Sequence, residues 1–175
     1  MRSFLLAAFC LASAGLPEAA PDNSAATALA KLASLAGEWE GPFEWTGART
    51  GTGRMNVAYS VTGYGSAVVE NLTVGGVPSM MSVYHLDGAD LRMTHYCGAR
   101  NQPRLKARRI DTAAGILDFD FVDITNTRSA DDPHVYGVEM RFRDADHFTL
   151  TFLFEGAGKK SRERIELGRV AKAAG

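Results

Sequence analysis

The stretch SMMSVYHLDGADLRMTHYCGARNQPR, residues 79–104, contains two short runs of alternating side-chain character on either side of Asp87-Gly88. Alternation with a period of two is typical of a strand that buries one face, and an Asp-Gly pair favours a hairpin turn between two such strands. Two of the four histidines of the chain, His85 and His95, lie in this stretch. It therefore predicts a β-hairpin in which specific chemistry is concentrated.

Strand parity divides the side chains of this hairpin into two sets. If Leu86 pairs with Leu91, the more apolar set faces the interior and the set with His85 faces outward. A tighter turn at Asp87-Gly88 would shift the pairs but would keep His95 on the inner face. The predicted inner set comprises Met80, Ser82, Tyr84, Leu86, Leu91, Met93, His95 and Cys97.

The period of two continues along most of the remaining chain, with Gly- and Asp-containing turns between the runs. The predicted strands are 38–45, 54–62, 67–74, 80–86, 91–97, 104–110, 116–123, 135–143, 147–154 and 162–170. A helix is predicted at 27–36, before Gly37. This pattern predicts an all-β fold, a single antiparallel up-and-down β-barrel of about eight to ten strands with a short N-terminal helix, because closure removes the edges of the sheet.

The first residues have the pattern of a secretory signal peptide: Arg2, an apolar run at 4–11 and the small residues Ala12-Ser13-Ala14. We expect residues 1–20 to be this signal, with cleavage between 14 and 26, and residues 27–171 to form the barrel domain. The protein is then exported to the periplasm or the extracellular space. The apolar run is shorter than the roughly 20 residues of a membrane span. Cys10 suggests lipidation, but bulky Phe9 precedes it.

The composition gives no sign of a nucleic-acid partner. The 175 residues carry 19 basic and 20 acidic side chains, a formal net charge of -1, so no global field attracts a polyanion. The basic run Arg104, Lys106, Arg108 and Arg109 alternates with apolar residues, which indicates a solvated outer face rather than a binding stripe.

The sequence Gly37-Glu38-Trp39 at the start of the first strand resembles the calycins, the superfamily of lipocalins and fatty-acid-binding proteins. That resemblance implies that Trp39 closes one barrel end and that a basic residue of the last strand, Arg169 or Arg164, packs across its ring. GEWEG, residues 37–41, also resembles the nitrobindins, which bind haem through a histidine near the C-terminus. The last predicted strand contains no histidine. Residues 84–104 resemble a family of uncharacterised exported bacterial lipocalin-like proteins, which implies a fold but no activity.

These observations favour a barrel that binds a small, partly apolar molecule in its interior. The expected inner wall is formed by Tyr84, Met93, His95 and Cys97, and the polar turn Asn101-Gln102-Pro103-Arg104 is expected at the rim, where Gln102 and Arg104 offer donors to a ligand. No cofactor and no metal is expected, because standard metal-ligand spacings are missing from the sequence, although Met80, Met93, His95 and Cys97 are ligand types that suit Cu(I).

Three alternatives remain open at this level. The first is an enzyme that uses His95 with Glu70 as acid and base in the same cavity, since Glu70 shares strand parity with Val68 and Leu72. The second is a haem-binding protein of the nitrobindin type. The third is a closed barrel with a structural or interaction role, in which His95 is a core histidine satisfied by a hydroxyl or carbonyl group. The ligand and the oligomeric state do not follow from the sequence.

Overall fold

A computed structural model describes residues 22–171 and confirms the predicted all-β fold: one short helix is followed by ten antiparallel strands that close into a barrel. The predicted signal peptide, residues 1–20, lies outside the described residues. The elements are α1 (Ala25–Ala33), β1 (Gly37–Gly47), β2 (Gly51–Thr62), β3 (Ala67–Val74), β4 (Val77–Asp87), β5 (Asp90–Tyr96), β6 (Gln102–Asp111), β7 (Ile116–Thr125), β8 (His134–Phe142), β9 (His147–Gly156) and β10 (Lys159–Arg169).

Each strand pairs with its neighbours in the sequence, and β10 pairs with β1 to complete the barrel. Helix α1 begins after Ser24, whose hydroxyl accepts a hydrogen bond from the Thr27 backbone N–H. Its buried residues are Ala25, Ala28, Leu29 and Leu32, and it contacts β2 to β6. We call this the helix end of the barrel. The opposite end, the far end, is formed by the connections at 48–50, 75–76, 97–101, 126–133 and 157–158.

The central hairpin adopts the predicted register, in which Leu86 pairs with Leu91 and Asp87 with Asp90. Gly88 lies in the turn with φ of 60°, a conformation that glycine adopts without strain. The predicted inner face is found with one correction. Leu86 is 39% exposed, because it is the next-to-last residue of β4 and lies at the rim of the barrel. His85 lies on the outer face, where its Nδ1 is 3.0 Å from the Leu86 carbonyl oxygen.

Trp39 seals the helix end. It is 1% exposed, and its indole N–H donates to the Leu35 carbonyl at 2.7 Å. The Arg169 guanidinium lies over the Trp39 ring, 4.2 Å from the centroid, and donates to the carbonyl oxygens of Ser34 and Ala36. Gly37 has φ of 126°, so a residue with a side chain would be strained there. Arg169 thus connects the last strand to the segment between α1 and β1.

Replacing Arg169 with alanine is expected to lower the free energy of unfolding by about 2 kcal/mol, because several hydrogen bonds and a cation–π contact are lost together. Chemical denaturation of the two proteins measures the difference. Arg164→Ala is the matched control on the same strand: Arg164 is exposed and pairs only with exposed Glu166, so its removal should cost less than about 0.5 kcal/mol. Equal losses in the two variants would contradict this role for Arg169.

The pairing of β7 with β8 stops before the far end. The ladder runs from Ile116 opposite Arg141 to Asp120 opposite Gly137. Beyond it, residues 121–125 of β7 pair only with β6, and the start of β8 pairs only with β9. The rings of Phe121 and His134 face each other across this separation, with centroids 5.2 Å apart. The long connection 126–133, which joins β7 to β8, begins and ends at this separation.

Candidate functional site

A row of polar side chains crosses four neighbouring strands in the interior of the barrel. Tyr59 on β2 is opposite Glu70 on β3, Glu70 is opposite Ser82 on β4, and Ser82 is opposite His95 on β5. All four side chains are buried. Because directly opposed residues of antiparallel strands bring their side chains together, the register alone assembles this polar row. The sequence predicted that His95 faces inward and left the direction of Glu70 open, and the structure brings both residues into one row.

Glu70 is the acceptor at the centre of this row. Its carboxylate accepts hydrogen bonds from the Tyr59 hydroxyl at 3.1 Å and from the Tyr84 hydroxyl at 2.5 Å. Burial raises the pKa of Glu70, and hydrogen bonds from Tyr84, Ser82 and Tyr59 oppose that rise. Burial and the neighbouring carboxylate also raise the pKa of both tyrosines well above their usual value. The tyrosines therefore act as neutral hydrogen-bond donors.

His95 lies at the end of the row, and its two ring nitrogens have different surroundings. Its Nδ1 is 3.0 Å from the Ser82 hydroxyl oxygen, and its ring packs against Phe152 with centroids 4.9 Å apart. The Nε2 atom is buried and has no hydrogen-bond partner among residues 22–171. Burial lowers the pKa of His95 to about 3, so the imidazole is neutral near pH 7.

The hydrogen bonds of the row favour one tautomer of His95. The Ser82 hydroxyl has a single proton, and when this proton is directed towards Glu70, opposite Ser82 on β3, the Ser82 oxygen is left as an acceptor for an N–H at Nδ1. The Nε2 atom then carries a lone pair directed away from the row. Such an atom can accept a hydrogen bond or take up a proton.

Two further polar side chains lie buried near the far end, beyond His95. Cys97 is on the same face of β5, and its backbone N–H donates to the Asn101 carbonyl at 3.0 Å. The Asn101 side chain is 1% exposed; its Nδ2 donates to the Pro133 carbonyl at 3.0 Å, whereas its Oδ1 has no partner in residues 22–171. Burial raises the pKa of the Cys97 thiol, which keeps it protonated and weakly reactive.

Glu163 on β10 is a buried carboxyl group that the sequence analysis missed. It is 3% exposed and lies opposite Trp45 on β1 and Phe152 on β9. Its Oε2 has no hydrogen-bond partner within the described residues. Burial raises the pKa of Glu163 to about 7, against the opposing effects of the Arg49 charge and a hydrogen bond from Trp45. Its strand parity with Ile165 and Leu167 was the signal available in the sequence.

Aromatic rings fill the interior between these groups. Phe152 contacts both His95 and Phe154, and Phe154 packs against Trp45 with centroids 4.8 Å apart. Outside this aromatic layer is a cleft of about 220 Å³ at the far end, lined by Trp45, Ala48, Arg49, Pro133, Phe154, Glu155, Gly156, Lys159 and Ser161. A larger cleft of about 630 Å³ lies at the helix end beside Lys31 and Phe142, away from Glu70 and His95.

The other predicted site residues lie in two places. Tyr84, Met93 and Cys97 line the inner wall with His95, as their parity predicted. Gln102 is half-buried at the start of β6, where its side-chain oxygen accepts from Thr125. Arg104 is instead on the outer face, because it is opposite outward-facing Thr94, and it forms an ion pair with Asp123 at 2.5 Å. The structure therefore does not bring Arg104 to the inner wall.

Within residues 22–171, no three His, Cys, Asp or Glu side chains are grouped so that they could hold a metal ion. Over the same residues, the structure has no helix with the length and apolar character that crossing a membrane requires.

Comparison with known proteins identifies structural neighbours only. No protein-family model matches the chain, and a search of curated proteins finds no match. The barrel is similar to Rv2717c from M. tuberculosis (TM-score 0.57, 13% identity, covering 82% of this chain and 98% of that one). It is also similar to a protein of unknown function of the DUF3598 family from Nostoc punctiforme (TM-score 0.54, 11% identity, covering 79% of this chain and 49% of that one). This chain thus spans about half of the Nostoc protein, and at these identities the likeness shows the fold alone.

Proposed function

We propose that this protein is an exported barrel of the calycin type that binds a small, partly apolar molecule, with His95 as the polar anchor. The observation that carries the proposal is the state of His95: Nδ1 is held by Ser82, and Nε2 is buried without a partner within the described residues. Burying a polar atom without a hydrogen-bond partner in an apolar interior costs free energy. A ligand group that forms a hydrogen bond with this atom offsets that cost.

The surroundings of His95 suit such a ligand. Phe152 and Met93 supply apolar surface beside the imidazole, and the polar row behind it fixes the ring orientation. Phe152 and Phe154 separate His95 from the cleft at the far end. Entry from that side therefore requires rotation of these rings, which is an ordinary side-chain motion. Export is supported by the signal-like pattern of residues 1–20.

The test is native mass spectrometry of the protein purified from its own host. The parent protein is expected to retain a small molecule, and His95→Gln is expected to lose it, because the amide does not present the same acceptor at Nε2. His85→Gln is the matched control, since His85 lies on the outer face of the same hairpin. Absence of any retained molecule from the parent protein, or equal retention by both variants, would favour a closed barrel with a structural role.

A second candidate is an enzyme that transfers a proton through His95. The connection from Glu70 through Ser82 to His95 favours it, because a carboxylate that orients a histidine through a hydrogen bond is a common catalytic arrangement. The same preparation distinguishes the two. When the retained molecule is released and added back in excess to the parent protein, an enzyme would convert it into another compound, whereas a binding protein would leave it unchanged.

A further inference from the structure

Three buried polar side chains around one aromatic cluster each have an atom without a hydrogen-bond partner among residues 22–171: His95 Nε2, Asn101 Oδ1 and Glu163 Oε2. All three atoms are acceptors when the His95 proton is on Nδ1 and Glu163 is ionised. The amide orientation of Asn101 follows from the bond that its Nδ2 donates to the Pro133 carbonyl. One other unmet atom, Arg92 Nε, is a donor on the outer face, where this guanidinium pairs with Asp87 and Asp90.

Contacts place the three acceptors around the same aromatic cluster, which consists of Trp45, Phe152 and Phe154. Glu163 is opposite Trp45 and Phe152 in the two ladders of β10. His95 packs on Phe152. The Asn101 carbonyl accepts a hydrogen bond from the Cys97 N–H, and its Nδ2 donates to the Pro133 carbonyl. Pro133 lines the far-end cleft beside Trp45 and Phe154.

We propose that the far end of the barrel binds the cationic, hydrogen-bond-donating end of a small molecule, an amine on an apolar body, with Glu163 as the anion and Asn101 as a neutral acceptor. This rests on the proposed function and narrows the ligand class. The Arg49 charge offsets part of the cost of burying the Glu163 carboxylate, but Oε2 has no hydrogen-bond partner among residues 22–171. An ammonium group that donates to Oε2 offsets more of that cost. The aromatic cluster adds ring faces that attract cations: the Arg49 guanidinium already lies 3.9 Å from the Trp45 ring centroid.

The same geometry argues against an anionic ligand. A carboxylate or phosphate group at this site would face three acceptors and the negative charge of Glu163. Arg104, which the sequence analysis expected to offer donors to a ligand together with Gln102, is paired with Asp123 on the outer face. Arg49 is the cation nearby: its guanidinium is stacked on the Trp45 ring, lines the cleft and already offsets part of the Glu163 charge.

Two probes with the same apolar body and opposite charge test the proposal: phenethylammonium and 3-phenylpropanoate. Each is titrated into the full protein by calorimetry at about pH 8, above the Glu163 pKa, so that this carboxyl group is ionised. Phenethylammonium is expected to bind at least about tenfold more tightly than 3-phenylpropanoate. Equal affinity, tighter binding of the carboxylate, or no saturable binding of the ammonium would overturn the proposal.

Variants on β10 locate the binding. Glu163→Gln keeps the shape of the side chain and is expected to weaken phenethylammonium binding by about tenfold, whereas Glu163→Asp, which keeps the charge, should lose less. Glu166→Gln is the matched control, since Glu166 is exposed on the outer face of the same strand. Thermal unfolding confirms that each variant is folded before titration. An unchanged affinity in Glu163→Gln would overturn the assignment of the site.

The outcome also separates this inference from the proposed function. If the protein from its host retains a molecule with a carboxylate or phosphate and no amine, the binding function stands and the cationic class is wrong. In the other case, the parent protein from its host retains no molecule, and phenethylammonium still binds in a Glu163-dependent manner. The cation site then stands, and the proposed binding function loses its support.

Discussion

Replacing His95 with glutamine is expected to make the protein less sensitive to acid than the parent. The His95 pKa is about 3 in the folded state and about 6.5 in the unfolded chain, so below pH 6.5 only the unfolded chain gains the proton. A lowered pKa of this kind means that stability is lost as the pH falls from 6.5 towards 3. At about pH 4 the parent should have lost about 3 kcal/mol through this group, and the glutamine variant should not show that loss.

Urea unfolding of both proteins between about pH 7.5 and pH 4 measures this difference. Glu70 and Glu163 have raised pKa values, so they bind protons more readily in the folded state and oppose acid unfolding. Both residues are present in parent and variant, so their contribution cancels in the comparison. His85→Gln, on the outer face, should follow the parent curve. Parallel pH curves for the parent and His95→Gln would show that His95 takes up a proton as readily in the folded barrel as in the unfolded chain.

Replacing Glu70 with alanine is expected to lower the free energy of unfolding by about 3–5 kcal/mol. The substitution removes the acceptor shared by the Tyr59 and Tyr84 hydroxyls and leaves a cavity between them. Ser82 loses its partner across the β3–β4 ladder as well. Denaturant unfolding at about pH 7 gives the value.

Neighbouring variants show whether the polar row is responsible for this loss. Asn71→Ala changes the next residue of β3, which is exposed, and should cost less than about 0.5 kcal/mol. Tyr84→Phe removes only the shorter of the two tyrosine bonds and should cost about 1.5–3 kcal/mol, since this bond is to a group that can carry charge. A loss below about 1 kcal/mol in Glu70→Ala would mean that the row does not stabilise the barrel.

The fold was largely predictable from the sequence because alternation and turn chemistry are local signals. Each of the ten predicted strands corresponds to an observed one, and the helix predicted at 27–36 is found at Ala25–Ala33. Alternation also assigned the inner face of the hairpin. Leu86 was the exception, because parity gives the direction of a side chain and does not tell how far the barrel wall extends around it.

The site was predictable only in part, because it depends on the registers of three consecutive strand pairs, which side-chain parity alone does not fix. Parity directs His95 inward and leaves the direction of Glu70 open. The β2–β3, β3–β4 and β4–β5 registers together bring Tyr59, Glu70, Ser82 and His95 into one row. Glu163 was missed because charged residues occupy most positions of β10, and a charge pattern of this kind usually marks a solvated strand. Arg104 was expected at the rim, but its direction follows from its position opposite Thr94.

The wall of this barrel is not equally strong around its circumference. At the far end, β7 and β8 exchange no ladder bonds beyond Asp120 and Gly137, and the contact between Phe121 and His134 spans the separation. Breathing motions of a protein involve the places where few backbone bonds must break. The two strands can therefore part here while the other strand pairs keep their hydrogen bonds. We therefore expect the amides of residues 121–125 that face β8 to exchange hydrogen faster than those in the paired part of β7, Ile116 to Asp120.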